Sequence, residues 1–320
     1  MKERINFILR LLIGFGILFI LFKVVPYKEL LFHLKKVKPF LLLIAFLSLV
    51  SLNLIGVSRW KYILSHLGLH VKYKDLFFLV FCGLFLNLFF PSLIAQDVFR
   101  AGLLSLKEPK SLKKIVASLV VDRFSGFFAL CFVVTLAFIL GRDFISEKSV
   151  FIAISLLFLL VVFLALFIFS KSFFKMFMSI FSKFRVYRDK AIEFHECLYV
   201  FHNQPRVLFR IFTFSFLIQG SLPFIFYLMA CSFAVKVNPL LFMVLIPIIM
   251  AISNLPVSIA GLGTREAAAV YFFSKIGIDK SIALGISLMY FLFMLLLGLF
   301  GGFLYVAFYS RRIQSHKQNR

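Results

Sequence analysis

The chain has 320 residues, 62% of them hydrophobic, with 47 Phe, one Trp and a formal net charge of +23 from 36 Lys and Arg against 13 Asp and Glu. Its mean hydropathy is +1.03; soluble domains are nearer half apolar, so this excess excludes an ordinary soluble globular domain. The basic residues lie in loops between apolar runs, which points away from nucleic acid and toward cytoplasmic loops facing anionic lipid heads.

The N-terminus, "MKERINFILRLLIGFGILFILFKVVP", has a basic start and an apolar stretch without a small-residue cleavage site, the pattern of a retained first helix. Further apolar runs cover roughly 39–57, 76–94, 115–140, 150–170, 208–234, 239–255 and 281–309. The fold class expected is all-α: a polytopic helical membrane protein with about eight hydrophobic segments, six of them full spans. The other two, 76–94 and 239–255, are broken at Pro91 and Pro256 and either re-enter or cross. One integral membrane domain, 1–320, is expected. Within it, 171–207 reads as a basic amphipathic cytoplasmic segment or a plain connector.

Loop charges give the orientation. With both termini cytoplasmic and both broken segments re-entrant, the inner pieces hold 22 of the 36 Lys and Arg, the outer pieces 7. Loop 26–38, with Lys28, Lys35, Lys36 and Lys38, opposes this assignment. Cys82, Cys131, Cys197 and Cys231 lie far apart and read as small hydrophobes. His195 and His202 fall in a polar loop without a ligand pattern, so no metal site and no cofactor are expected.

The breaks repeat a pattern. Residues 91–100, "PSLIAQDVFR", and 256–265, "PVSIAGLGTR", share Pro, Ile, Ala and Arg at Pro91, Ile94, Ala95, Arg100 and at Pro256, Ile259, Ala260, Arg265. Asn87 and Asn254 lie upstream. Three apparent crossings separate the copies, so the second enters from the opposite face as an inverted repeat. Paired Pro- or Gly-interrupted segments in two halves of a chain point to a transporter's binding site. Helix breaks at membrane depth free backbone polar groups, which need protein or a wet cavity around them. Asn87, Ser92, Asn254 and Ser258 can satisfy such groups, and Gly261 and Gly263 permit tight turns. A half-helix starting near 264 aims its positive end at the break.

Three acids have basic neighbours: Asp97 with Arg100, Asp122 with Arg123, Glu266 with Arg265. Asp97 and Arg100 share a helical face; Asp122 and Arg123 do not, so each needs a partner elsewhere. One reading makes these pairs structural; another gives Arg100, Arg123 and Arg265 an anionic head group as guanidinium forks; a third gives the acids a proton. Arg59 and Trp60, in "SRWKY", read as an interfacial anchor, and Gly298 and Gly302 as a close-packing GxxxG.

At these residues the chain resembles the lysylphosphatidylglycerol synthase transmembrane family, the flippase-like integral membrane proteins. The markers are Arg59–Trp60; Asn87, Pro91, Ser92, Asp97 and Arg100; Asp122–Arg123; and Leu255, Pro256, Ser258, Gly261, Gly263, Arg265 and Glu266. Ala95 and Gln96 stand where the family usually has two glycines. In the full synthases a cytosolic aminoacyl-transferring domain follows; this chain reads as the stand-alone membrane half. The resemblance implies lipid translocation. The function expected is a flippase moving an anionic phospholipid or lipid-linked sugar across the inner membrane. The alternative is a membrane enzyme, or the membrane subunit of a lipid head-group modification with a separate soluble transferase. The partners expected are anionic membrane lipids, with no nucleic acid.

Overall fold

A computed structural model describes residues 2–89, 93–108, 111–140, 148–180, 192, 194–253, 258 and 261–318; the site residues Pro91, Ser92, Asn254 and Pro256 lie outside the described residues. Among the described residues the structure is helical, with no strand. The helices are α1 (Lys2–Val24), α2 (Tyr27–Lys35), α3 (Pro39–His66), α4 (Tyr73–Phe89), α5 (Leu93–Lys107) and α6 (Leu112–Leu140). They continue as α7 (Lys148–Phe169), α8 (Lys171–Ile180), α9 (Pro205–Ser232), α10 (Pro239–Ser253), α11 (Thr264–Lys275) and α12 (Lys280–Gln318).

Proline marks where helices begin. Pro39, Pro205 and Pro239 open α3, α9 and α10, where the missing N–H costs nothing because the first-turn donors have no intrahelical partner. Among the described residues four helices are long and apolar enough to cross a membrane: Pro39–His66, Leu112–Ile139, Pro205–Ser232 and Lys280–Ala307. Shorter apolar helices cover Phe15–Val24, Phe158–Phe169 and Pro239–Ser253. The chain is therefore a polytopic helical membrane protein. Its exposed Phe and Leu side chains, such as Phe19, Leu156, Phe209 and Phe303, face a medium in which exposure of apolar surface costs nothing.

The chain forms two compact units. Unit 1 comprises Met1–Ser51, Phe77–Arg100 and Ser221–Arg320; unit 2 comprises Leu52–Leu76 and Ala101–Gly220. The boundaries fall inside α3, α4, α5 and α9, so continuous helices carry the chain from one unit to the other.

In unit 1, α11 packs on α10, α12 and α1, and α2 lies along α12. Helix α4 seats on α12 through glycines. A Cβ on Gly298 would stand 2.5 Å from Leu88 Cδ1, one on Gly302 2.7 Å from the Phe85 ring, and one on Gly301 would collide with the Phe81 carbonyl. This is the close packing expected of Gly298 and Gly302, with Gly301 tighter than either.

Unit 2 is built on Ile63, Ala117, Val121, Phe124, Ile168, Leu198, Phe201 and Ile211. These come from α3, α6, α7, α9 and the short helix 194–199. Part of the 171–207 segment is thus core: Leu198 and Phe201 are fully buried. His195, read from sequence as a loop residue, is also buried; its Nε2–H donates to the Phe167 carbonyl at 3.1 Å and its ring stacks on Phe174 at 4.0 Å. Burial holds its imidazole below the ordinary histidine range.

Candidate functional site: helix breaks and buried ion pairs

Both Pro-interrupted segments fold as two short helices with a break between them. The first is α4, 17 residues, then α5, 15 residues. The second is α10, 15 residues, then α11, 12 residues. At 1.5 Å per residue each is about 18–26 Å long, short of a hydrocarbon core of about 30 Å.

At the first break the Asn87 Nδ2–H donates to Gln96 Oε1 at 2.8 Å, joining the end of α4 to the first turn of α5. Gln96 is buried, and Asn87 Oδ1 is buried with no hydrogen-bond partner among the described residues. The pairing fits Gln96 standing where a glycine was expected, since the amide occupies the room that a glycine leaves open. One turn on, Arg100 Nη1 lies 3.8 Å from Asp97 Oδ1, a loose i,i+3 pair.

The second break is tied tightly. Gly261 and Gly263 adopt φ 71° and 85°, the left-handed region that favours glycine; at Gly261 a Cβ would also strike Ser253. Ser258 and Thr264 share a hydroxyl–hydroxyl bond of 2.9 Å, and Thr264 Oγ1 donates to the Gly261 carbonyl at 3.2 Å. Glu266 Oε2 accepts the Gly263 N–H at 2.7 Å, so the carboxylate caps the start of its own helix. Its Oε1 accepts from Arg265 Nη2 at 2.6 Å and Nε at 3.1 Å, and from Ser287 Oγ at 3.1 Å. The Arg265 guanidinium also faces the rings of Tyr290 and Phe291, 5.3 and 5.5 Å from Cζ. Neighbouring residues pair here because Glu266 folds back to the helix terminus and meets Arg265 on the way. The side chains keep only 4% and 0% of their surface exposed.

The third acid finds a partner the sequence reading placed elsewhere. Asp122 Oδ1 accepts from Arg59 Nε at 2.7 Å, and Arg59 Nη1 donates to Ser215 Oγ at 2.8 Å. Trp60 is fully buried, and its indole N–H donates to Ser118 Oγ at 3.0 Å. Arg59 and Trp60 therefore stand buried inside unit 2. The apolar run stops at 57 because Arg59 and Lys61 interrupt it, but helix α3 continues to His66. The sequence already required a partner elsewhere for Asp122, an acid inside an apolar helix; the fold supplies it as Arg59. Arg123 is half-buried on α6.

The described motif residues thus fall in both units. Asn87, Asp97, Arg100, Ser258, Gly261, Gly263, Arg265 and Glu266 belong to unit 1, and Asp122 and Arg123 to unit 2. A cleft of about 420 Å³ in unit 1 is lined by Pro26, Glu29, Ser274 and Asp279 and by none of these motif residues. Its acid, Asp279, caps α12: it accepts the Ser281 N–H at 2.7 Å and the Ser281 hydroxyl, and these bonds lower its carboxyl below the usual range.

A family model described as the lysylphosphatidylglycerol synthase TM region matches residues 7–302. A UPF0104 membrane protein of Methanocaldococcus jannaschii is 36% identical over 88 residues, 27% of this chain and 26% of that protein. The matched stretch thus spans about a quarter of that relative's length.

Proposed function

The chain belongs to the family of the lysylphosphatidylglycerol synthase TM region, and on that premise we propose that it moves an anionic phospholipid or lipid-linked sugar between leaflets of the cell membrane. One observation carries the reading: arginine–carboxylate pairs lie at two helix breaks inside an otherwise apolar helical protein. Ionisable groups at membrane depth are costly, and mark substrate paths more often than architecture. The paired breaks act as the two halves of an inverted repeat, with a head-group site built on them.

Within that site the arginines take different parts. Arg100, in a loose pair with Asp97, takes the head-group phosphate, and Asn87 of the same unit serves it. Arg265, sealed against Glu266, holds the second break in shape. Phe-rich helix faces accommodate the acyl or prenyl chains. Both termini lie in the cytoplasm. The test is leaflet exchange of fluorescent phosphatidylglycerol and of a lipid-linked sugar in liposomes holding purified protein. Arg100→Gln is expected to slow exchange at least tenfold while melting within a few degrees of wild type. Wild-type exchange by folded Arg100→Gln protein removes Arg100 from the site, and no exchange of either lipid by wild type removes the transport reading.

A second reading is kept because the matching family model describes the membrane region of a synthase. In it, the chain serves as membrane subunit for head-group modification by a separate transferase. A lipid product of changed mass, formed with a soluble fraction added, supports it.

A further inference from the structure

The Arg59–Asp122 pair belongs to a polar seam that the breaks do not explain. On α6, Ser118, Asp122 and Gly126 recur every fourth residue and so line one face over about 12 Å. On α9, Ser215 and Gln219 are likewise four apart, and the Gln219 Nε2–H donates to the Gly126 carbonyl at 3.1 Å. Arg59 and Trp60 of α3 complete the seam through Asp122, Ser215 and Ser118. All these residues lie in unit 2. Arg59 stands about 10 Å from the end of α3, and Asp122 and Ser215 about 15 Å from the starts of α6 and α9. Each helix is long and apolar enough to span.

Two comparisons decide what the seam is for. A buried ion pair is weak support for stability, since apolar replacements are often neutral or better. The second comparison is accessibility. Arg265 and Glu266 keep 4% and 0% of their side-chain surface, whereas Arg59 and Asp122 keep 11% each. The unit 2 pair is the less completely sealed of the two. The Trp60 indole, Ser118, Ser215 and Gln219 already donate, to Ser118 Oγ and to the Ile115, Ile211 and Gly126 carbonyls, so the seam's donors for an anion are those of the Arg59 guanidinium, held by one carboxylate and one hydroxyl. That inventory suits an anion with several acceptor oxygens on one atom.

We propose that Arg59 is a phosphate ligand, with Asp122 as its resting counter-ion. A lipid phosphodiester entering the seam takes the guanidinium fork over from Asp122, two oxygens matching two N–H donors. The proposal rests on the lipid-translocation reading for the class of substrate, but it concerns binding and a residue outside the break motifs.

The chain supplies its own reporter, because Trp60 is the only tryptophan and adjoins Arg59. Full-length protein in an uncharged detergent is titrated with dihexanoyl phosphatidylglycerol, with dihexanoylglycerol, and with inorganic phosphate. Trp60 emission is expected to change saturably with the phospholipid and not with the diacylglycerol. Arg59→Gln is expected to weaken that response at least tenfold. Because Arg59→Gln leaves Asp122 uncompensated, the double change Arg59→Met with Asp122→Leu serves as the folded control; it is expected to melt no lower than wild type and to give no response.

An equal response to diacylglycerol overturns the proposal, as does wild-type affinity in the folded double variant. Saturation by inorganic phosphate at the affinity of the phospholipid keeps Arg59 as a phosphate ligand and overturns the lipid as its source. The two readings fail separately: leaflet exchange without a Trp60 response sinks this proposal alone, and a Trp60 response without exchange sinks translocation alone.

Discussion

Arginine 265 shows how far burial changes the meaning of a residue. On the sequence one reading makes it a guanidinium fork for an anionic head group and another makes it structural. In the structure its guanidinium bonds a carboxylate that is 0% exposed, a serine and two ring faces. Arg265→Ala strands Glu266 as a buried, uncompensated charge, a loss of about 3–5 kcal/mol. Urea or thermal unfolding in detergent is expected to show that loss, and Glu266→Gln, which strands Arg265 in the same way, is expected to destabilise too. A melting temperature unchanged by Arg265→Ala contradicts the sealed pair. Arg59 makes the opposite case. Its neighbours Trp60 and Tyr62 suggest a membrane edge, and only the fold reveals that Asp122, 63 residues away, is its partner.

The broken helices were legible element by element. Pro91 and Pro256 each follow an apolar run too short to cross comfortably, and each run gives way to a second short helix. Proline alone does not end a helix here, since Pro223 and Pro247 lie inside α9 and α10. What the breaks pack against is not local. Helix α4 lies on α12 because Gly298, Gly301 and Gly302 clear a path for its backbone. The GxxxG spacing marked Gly298 and Gly302, yet Gly301, off the motif, makes the tightest approach. Gly301→Ala drives a Cβ into the Phe81 carbonyl, and is expected to cost at least about 3 kcal/mol because a backbone cannot step aside. Gly102→Ala is the matched control: its Cβ meets nothing within 4 Å, and removing a helix glycine stabilises by about 0.5–1 kcal/mol. Equal melting temperatures for the two variants contradict this packing.

At the scale of the whole molecule, charge and hydropathy speak to topology. The helices Pro39–His66, Leu112–Ile139, Pro205–Ser232 and Lys280–Ala307 answer the apolar runs directly. The basic loops predict the sides. Position 28 lies before α3 and position 72 after it, so in a cysteine-free background a single Cys at 28 is expected to label only from outside, and one at 72 only from inside. Labelling of both from one face overturns the orientation, and with it the re-entrant reading of 76–94. Lysines 28, 35, 36 and 38 make this a real test, since they place positive charge on the face the rule disfavours. In the structure α2 carries Lys28 and Lys35, and the Lys36 ammonium sits 3.8 Å over the Phe32 ring, an amphipathic arrangement suited to an interface.

The sequence by itself determined the solvent and the long spanning helices. Both follow from a property that acts over one helix or less, its apolar length. The tertiary structure alone decided the pairings. Arg59 with Asp122 and Ser215, Trp60 with Ser118, and Arg265 with Ser287 join helices far apart in the chain. In an apolar medium a charge must find its partner wherever the bundle brings one, and no spacing in the sequence encodes that meeting. The same holds for accessibility, which separates the sealed pair at Glu266 from the reachable pair at Asp122.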